Sequence, residues 1–492
     1  MPGGIEFLLN GSKVETADPP GLLVLDWLRE QRRLTGTKEG CKEGDCGACS
    51  VLIGVSDGDH VTYRPVTSCL VPLGELHGKH LVTIEGITPD AGLNPAQEAM
   101  VARGGSQCGF CTPGFIVSMT WQVMQGDRLD EQGFRRAISG NLCRCTGYGS
   151  IFRACDDLTR QLGPDGDLSA IGAASDRVTA LAEAGLLPGW FLEVPKRLSE
   201  IPARTPEPLS TVPDFLIGGG TDLYVQRGEA IPNAEVSLLG ARPDLATIRV
   251  EGDEVLLGPA CTVQAFAEHP EIQAMLPTLK DDMDLVASLP IRNRATFAGN
   301  VINASPIGDM TAYLLALGAR ITLTDRPNGA SRTFPLEDLF LGYKVLAKQE
   351  TEWVTGFTFD RVRPPTQVSL ERVSKRRWLD IPSVNSVARL TVDEAGTILD
   401  ARLAIGGVAA IPLYLGVTSS WLTGKTMSSA TVVEALRTMD GEIGPISDVR
   451  GSAAYKRLLA RQLVVAHFAK LYPDRVSLRE VLGDAFHAEA TL

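Results

Sequence analysis

Cys41-Lys42-Glu43-Gly44-Asp45-Cys46-Gly47-Ala48-Cys49, with Cys69 further downstream, decides how the first part of this chain folds. The spacing C-x4-C-x2-C…C is the plant-type arrangement of four thiolates around a 2Fe–2S cluster. Gly40, Gly44 and Gly47 stand beside the thiols. A loop wrapping a cluster needs residues that accept positive φ and turn backbone N–H groups toward sulfide. Such donors stabilise the more negative reduced cluster and help set its potential. Zinc also takes four thiolates, but its structural sites favour paired C-x2-C knuckles, which the x4 spacing fits poorly.

Outward from this loop, residues 1–84 read as a small mixed domain. Ile5-Glu-Phe-Leu-Leu-Asn-Gly11 predicts a strand entering an Asn-Gly hairpin turn. Leu22, Leu25 and Leu28, with Leu23 and Trp27, recur at helical spacing. Strands are expected at Ser50-Val-Leu-Ile-Gly, near Tyr63 to Val66 and near Leu81 to Ile84. A few strands with one helix is a ubiquitin-like, β-grasp composition.

Residues 85–162 switch to helix. Asn94-Pro95 with Gln97 is a capped helix start, and Thr112-Pro113 repeats the signal ahead of Phe115, Ile116, Met119 and Val123. Asp130 is expected to cap a third helix, and a fourth runs from about Tyr148 to Leu162. Four more cysteines fall at the ends of these helices, as Cys108-x2-Cys111 and Cys143-x1-Cys145, in loops rich in glycine. Two thiols from each of two loops supply four ligands. Zinc stays open for this set on its own residues, and the neighbouring motif favours a second electron carrier. Cys155, on a face with Ile151, Leu158 and Leu162, and Cys261 read as small core residues. None of the six histidines stands in a metal-ligand spacing.

With 492 residues the chain is long enough for three or four domains. A composition of 44% apolar and 22% charged residues is that of a soluble globular protein. No apolar run reaches membrane-spanning length. The N-terminus lacks signal-peptide features, so a cytoplasmic location is expected, where ten cysteines are expected to bind metal rather than pair. A net charge of −12 and no Lys/Arg cluster argue against a nucleic-acid surface.

Residues 163–213 read as a linker, opened by Gly163-Pro-Asp-Gly and stiffened by Pro202, Pro206, Pro208 and Pro213, with a short helix around Asp176 to Ala184. This segment is expected to be mobile. From Asp214 the composition changes to short β runs. Phe215-Leu216-Ile217 runs into Gly218-Gly219-Gly220-Thr221-Asp222-Leu223, where glycines let the backbone close on a diphosphate and Thr221 offers a hydroxyl. The Rossmann fingerprint is absent, because Leu223 stands where its third glycine belongs. Ile291-Arg-Asn-Arg-Ala-Thr296-Phe-Ala-Gly299-Asn300 through Ser305-Pro306-Ile-Gly-Asp309 crowds small residues and amides together. That mix suits a wall for a planar cofactor, or else a tight turn with Asn300 as a cap. The last 110 or so residues predict strands at Val384 to Val392 and Ala401 to Ile405, then helices over Thr423 to Met439, with a break, and over Ser452 to Leu471.

Two 2Fe–2S motifs in this order, the second as C-x2-C…C-R-C, resemble the iron–sulfur half of the xanthine dehydrogenase family, and within it the small subunit of the split bacterial enzymes. The Gly-Gly-Gly-Thr-Asp-Leu and Gly-Asn…Ala-Ser-Pro…Asp segments resemble its flavin domain. The resemblance implies a multidomain α+β protein. Its parts would be a β-grasp ferredoxin domain (1–84), a four-helix-bundle 2Fe–2S domain (85–162), the linker (163–213), a vanillyl-alcohol-oxidase-type FAD domain (214–380) and a C-terminal α+β domain (381–492). It assigns Cys41, Cys46, Cys49, Cys69, Cys108, Cys111, Cys143 and Cys145 to two clusters. Leu216, Ile217, Gly218, Gly219, Gly220, Thr221, Asp222 and Leu223 would hold the FAD pyrophosphate and ribose, with Thr296, Gly299, Asn300 and Asp309 lining the cofactor. Arg372 to Asp380 matches a basic family segment ending in Asp-Ile, which adds Arg372 and Asp380 to the set. Phe340-Leu-Gly-Tyr343 resembles a loop near the flavin's nicotinamide side.

The same resemblance implies a larger partner subunit carrying molybdopterin, in an (αβ)2 heterotetramer, that hydroxylates hypoxanthine and xanthine to urate with water as oxygen source. Electrons would leave through the Cys108 set, then the Cys41 set, then FAD, then NAD+, with no substrate site on this chain. Alternatives are the small subunit of another molybdenum hydroxylase (aldehyde, nicotinate or carbon monoxide type), a self-sufficient NADH:acceptor diaphorase, and a zinc-bound scaffold.

Overall fold

The computed structural model describes residues 4–204, 209 and 211–489, and the Pro206 and Pro208 of the expected linker lie outside these residues. The chain forms two compact units. The first comprises Met1–Pro208, Pro213–Arg242 and Ala287–Ala295. The second comprises Leu209–Val212, Pro243–Val286 and Thr296–Leu492.

In the first unit a five-stranded sheet runs in the order Ser12–Thr16, Ile5–Leu9, His80–Val82, Ser50–Asp57, His60–Thr67. Ile5–Leu9 turns back at Asn10, which takes the left-handed φ of 50° that an Asn-Gly hairpin requires. The same strand pairs in parallel with His80–Val82. That pairing and the helical turns Val24–Asp26 and Trp27–Gln31 make the β-grasp arrangement. Phe7, Val24, Trp27, Leu28, Val51 and Leu81 fill the space between them.

Four helices follow: Pro95–Ala102, Thr112–Gln125, Glu131–Ala137 and Gly149–Leu162. The first opens with a reciprocal capping box between Asn94 and Gln97, and Asp130 caps the third by accepting from the Gly133 N–H at 2.8 Å. Cys155 is fully buried among Ile151, Ala154 and Leu158, as its position on the helix face predicts.

The expected mobile linker is corrected over 169–201. Ser169–Gly172, Arg177–Glu183 and Val194–Ser199 are helices, joined by the 3-10 turn Gly189–Glu193. Leu181, Leu187, Phe191, Val194 and Leu198 enter the same core as the four helices and the sheet. Trp190 and Phe191 stack at 4.2 Å, and Phe191 meets Tyr63 edge-on. The prolines and glycines punctuate short helices, and the apolar residues between them bury enough surface to offset the entropy of ordering.

The two larger sheets of the second unit are antiparallel. One runs Ser331–Pro335, Arg320–Asp325, Glu352–Asp360, Glu254–Leu257, Ile248–Glu251. The other runs Thr366–Val373, Val384–Val392, Ile398–Gly406, Leu413–Tyr414. Helices Ser429–Asp440 and Ala453–Leu471 cover the second sheet; the long one falls where the sequence predicts a helix, and Ser452 caps it by accepting from the Tyr455 N–H. Cys261 is buried.

One interior carboxyl carries a pH dependence. Asp282, on Leu279–Asp284, is buried with a hydrogen bond from Thr278 at 2.9 Å, and the charges of Lys470, Glu371 and Asp281 act on it. Burial pushes its pKa up to about 7. An acid whose folded pKa is raised keeps its proton while the unfolded chain gives it up. Stability is therefore lost as pH rises from the unfolded value near 4 to about 7, and is level above that. Asp282→Asn should remove this slope and gain up to ~4 kcal/mol at pH 8 over the parent. Melting temperatures of both proteins across pH 5–8 check this; parallel profiles reject it.

Candidate metal and flavin site

The loop between the helical turn Trp27–Gln31 and the strand Ser50–Asp57 folds over its own sulfurs. Lys42, Gly44 and Gly47 take φ of 58°, 81° and 65°. The Cys41 N–H donates to Cys46 Sγ at 3.4 Å, and the Glu43 N–H to Cys41 Sγ at 3.3 Å. The four thiols stand as two interacting pairs, Cys41 with Cys46 and Cys49 with Cys69. The contact with Cys46 holds Cys41 down to about 5, while Cys46 is pushed up by the same contact and by burial. Cys49 and Cys69 are buried, and Cys41 and Cys46 are half-buried.

The second set repeats the pattern: Cys108 meets Cys145 and Cys111 meets Cys143. Cys143 Sγ accepts from the Thr146 hydroxyl at 3.1 Å and its N–H at 3.4 Å; against burial, these bonds lower its pKa. Gly109 and Gly147 have positive φ. Cys108 and Cys145 are exposed, and Phe110 between the thiols is also exposed.

Two pairs suit a binuclear cluster, in which each iron takes two thiolates. A single zinc ion would draw all four sulfurs to about 2.3 Å from one point. Both donor sets thus fit 2Fe–2S clusters.

The two thiol loops are stitched together. The Leu142 N–H donates to the Cys46 carbonyl at 2.9 Å, one residue from Cys143. The buried Asn141 donates to the Gly47 carbonyl at 3.1 Å and accepts from the Ser118 hydroxyl at 2.8 Å. A Cβ on Gly47 would overlap the Gly140 carbonyl. Asn141→Ala would leave the buried Ser118 hydroxyl without its acceptor and take one of three donors from the Gly47 carbonyl, which Ser50 also holds through its N–H at 3.1 Å and its hydroxyl at 2.7 Å. The cost is about 1–3 kcal/mol, read as a lower melting temperature with both clusters bound. An unchanged melting temperature would show the junction to be dispensable.

The glycine-rich turn belongs to this same unit. Phe215–Ile217 pairs in parallel with Val236–Leu238 and delivers residues 218–222 to the short helix Leu223–Arg227. Ile217 and Tyr224 share a core with Leu25, Cys49, Cys69 and Leu70. Gly220 has a φ of 75°, and a Cβ there would stand 3.2 Å from the Leu70 carbonyl. The predicted diphosphate turn therefore packs on the loop that carries Cys69. Compact grouping divides the 214–380 segment: 214–242 and 287–295 go with the iron–sulfur part because their apolar side chains share its core.

Sequence reasoning missed a buried ion pair at this place. Arg294 and Glu75 are 8% and 2% exposed and joined through Nη1, with a second contact from Nη2 at 3.2 Å. Arg294 also donates to the Gly219 carbonyl from Nε at 3.1 Å and Nη2 at 2.7 Å. Deleting one partner of such a pair costs about 3–5 kcal/mol. The one available signal was an isolated Glu75 in the apolar run Leu70-Val-Pro-Leu-Gly-Glu-Leu76.

The remaining predicted cofactor residues lie in the second unit. Thr296 caps the helix Phe297–Asn303 by accepting from the Gly299 N–H at 3.0 Å. Asn300 Oδ1 accepts from the Thr311 N–H at 3.0 Å and hydroxyl at 2.9 Å, closing the start of Asp309–Leu317. Asp309 accepts from Asn385 at 2.6 Å and faces Arg372 at 3.3 Å. Burial raises its pKa against the pull of that guanidinium. Arg372 also donates to the Leu285 carbonyl and, at 2.7 Å, to the Asp380 carbonyl. The hairpin Phe340–Gly342 with Val345–Leu346 leaves Leu341 and Tyr343 exposed.

Four family descriptions match the chain in order. A 2Fe-2S iron-sulfur cluster binding domain covers 7–73 and a 2Fe-2S binding domain 83–156. An FAD binding domain in molybdopterin dehydrogenase covers 209–359, and a CO dehydrogenase flavoprotein C-terminal domain 371–471. This ordered set fits the iron–sulfur/FAD subunit of the molybdenum hydroxylase family. More particularly, the chain is similar to xanthine dehydrogenases. It is 27% identical to that of Blastobotrys adeninivorans over 98% of this chain and 41% of the relative. With that of Oryza sativa subsp. japonica it shares 30% over 82% of this chain and 35% of the relative. The chain thus spans about two fifths of the length of the curated relatives it matches. Among solved structures, carbon monoxide dehydrogenase from Hydrogenophaga pseudoflava matches with a TM-score of 0.48 and 26% identity over 52% of this chain and 89% of that one. Quinoline 2-oxidoreductase from Pseudomonas putida 86 matches with a TM-score of 0.47 and 21% identity over 52% and 88%.

Proposed function

We propose that this chain is the electron-transfer subunit of a xanthine dehydrogenase. It takes electrons from a larger molybdopterin-bearing subunit that oxidises hypoxanthine and xanthine to urate, and delivers them to NAD+. When bound, 2Fe–2S clusters carry single electrons, and FAD joins that one-electron traffic to a two-electron acceptor. In this reading Cys108, Cys111, Cys143 and Cys145 hold the entry cluster, Cys41, Cys46, Cys49 and Cys69 the second, and residues 216–223 the diphosphate of FAD. Thr296, Gly299, Asn300, Asp309, Arg372 and Asp380 shape the remainder of the flavin site.

The observation that carries the proposal is the contiguity of three sites. Leu142 beside Cys143 is hydrogen-bonded to Cys46, and Leu70 beside Cys69 abuts Gly220. The exposed Cys108, Phe110 and Cys145 present the entry end to solvent, where a partner subunit can dock, in an (αβ)2 assembly. A cytoplasmic location accords with the free thiols, and no described helix is long and apolar enough to cross a membrane.

A second reading has the support of the CO dehydrogenase flavoprotein match over 371–471: the small subunit of a molybdenum hydroxylase acting on another substrate. Co-purification of the native complex separates them. Molybdenum in stoichiometric amount with xanthine-dependent NADH formation supports the first reading. Molybdenum with turnover only of an aldehyde, a nicotinate or carbon monoxide supports the second, and NADH oxidation by a molybdenum-free chain rejects both.

A further inference from the structure

The Glu75–Arg294–Gly219 contact joins three segments remote in sequence, and the hydrogen bonds between Arg294 and Gly219 span 75 positions. A guanidinium is a rigid fork, and here it grips one carbonyl with two N–H donors while Glu75 holds the fork from its other edge. A carbonyl fixed in this way fixes its peptide plane. The N–H of Gly220 lies in the same plane and points the opposite way, so its direction is set by Arg294. Asn293, the preceding residue, is itself tied to the Pro65 carbonyl at 2.9 Å, which anchors the arginine's own segment to the sheet. Lys79 lies in the field of both Glu75 and Arg294, and burial lowers its pKa against the pull of Glu75.

We propose that Glu75 and Arg294 are a positioning pair that aims the backbone of the Gly218–Gly220 turn and thereby sets how tightly the chain retains the diphosphate end of FAD. The proposal rests on the reading of residues 216–223 as the diphosphate turn and adds the device that pre-orients it. An apolar contact could hold the turn in place but could not orient a carbonyl. A buried ion pair confers little net stability over a well-packed apolar pair, so its presence here calls for a role of this kind.

The test uses the full chain stripped of flavin, with both clusters retained. In Glu75→Met/Arg294→Met both buried charges are removed together, which spares the fold the uncompensated charge of a single replacement. The Kd for FAD should rise on the order of tenfold or more, the effect of losing hydrogen bonds from a charged donor, with both reduced-cluster EPR signals unchanged. Arg294→Lys keeps the charge beside Glu75 without the fork, and should show a smaller rise. Parental FAD affinity in either variant overturns the proposal. Hydrogen exchange in the parent separates this from the reading beneath it. If FAD protects the amides of 218–223 while the double variant binds normally, only the positioning role fails; if FAD leaves those amides unprotected, the diphosphate assignment itself fails.

Discussion

Cys46→Ser yields a protein with one reduced-cluster EPR signal in place of two, with flavin still bound and electron delivery to it from the entry cluster lost. Cys46 pairs with Cys41, so its loss leaves one iron of the first cluster with a single thiolate. The serine hydroxyl is a weaker ligand with a far higher pKa. The second thiol set is expected to survive, because what joins it to Cys46 is the backbone carbonyl that accepts from Leu142, and serine keeps that carbonyl. FAD should stay because the glycine-rich turn leans on Leu70 and the Cys49–Cys69 side of the loop. Cys155→Ala is the control: that thiol is buried in the helix core and belongs to neither set of four, so both signals should persist. EPR of the dithionite-reduced proteins, with flavin measured on the same samples, reads all three outcomes. Loss of both signals and of flavin from Cys46→Ser would show that the stitched loops fold only as one body.

The thiol sets were legible in the sequence because cluster ligation is a local problem. Cys41, Cys46 and Cys49 lie on one short loop, and positive φ at Gly44 and Gly47 follows from wrapping it. Helix starts were legible for the same reason, since Asn94 with Gln97 and Asp130 satisfy N–H groups only three residues away. Long-range pairs leave no such trace. Glu75 and Arg294 are 219 positions apart, and neither stands in a periodic pattern. The helices of 169–201 were obscured for a different reason. Proline and glycine give it linker composition, whereas Leu181, Phe191 and Leu198 decide the outcome by burial against a core that the local sequence does not contain. Thr296 and Asn300 show the converse. The amide-rich stretch was recognised as unusual, and the structure gives both side chains work in capping helices.

Those caps also bear on how the two segments proposed for the flavin differ in kind. Residues 216–223 offer mainly backbone, held in shape by Arg294 and Leu70. The second unit offers side chains already engaged with one another, Asp309 with Arg372 and Asn385. Substitution in the first set should therefore act through main-chain geometry, and in the second through rearrangement of a buried polar network. A single added methyl group is informative only in the former.

Gly219→Val is the sharpest such change, and it is expected to give a protein with both clusters and no retained flavin. A Cβ at Gly219 would overlap the Arg294 carbonyl oxygen and stand 2.6 Å from its carbonyl carbon and 3.0 Å from the Ala295 Cα. All three are backbone atoms, which cannot swing aside as a side chain does. Either the turn or the 294–295 segment must shift, and each movement breaks the guanidinium's hold on the Gly219 carbonyl. The lost bonds alone amount to about 1.5–3 kcal/mol, and the overlap adds to that. Gly58→Ala serves as the comparison: its φ is 67°, but nothing stands within 4 Å of the added Cβ. Backbone strain of about 1–2 kcal/mol there should lower the melting temperature without releasing flavin. The flavin-to-iron ratio after gel filtration distinguishes the two. Full flavin occupancy in Gly219→Val would mean that the turn can move away from Arg294 without consequence, and that the diphosphate is held elsewhere.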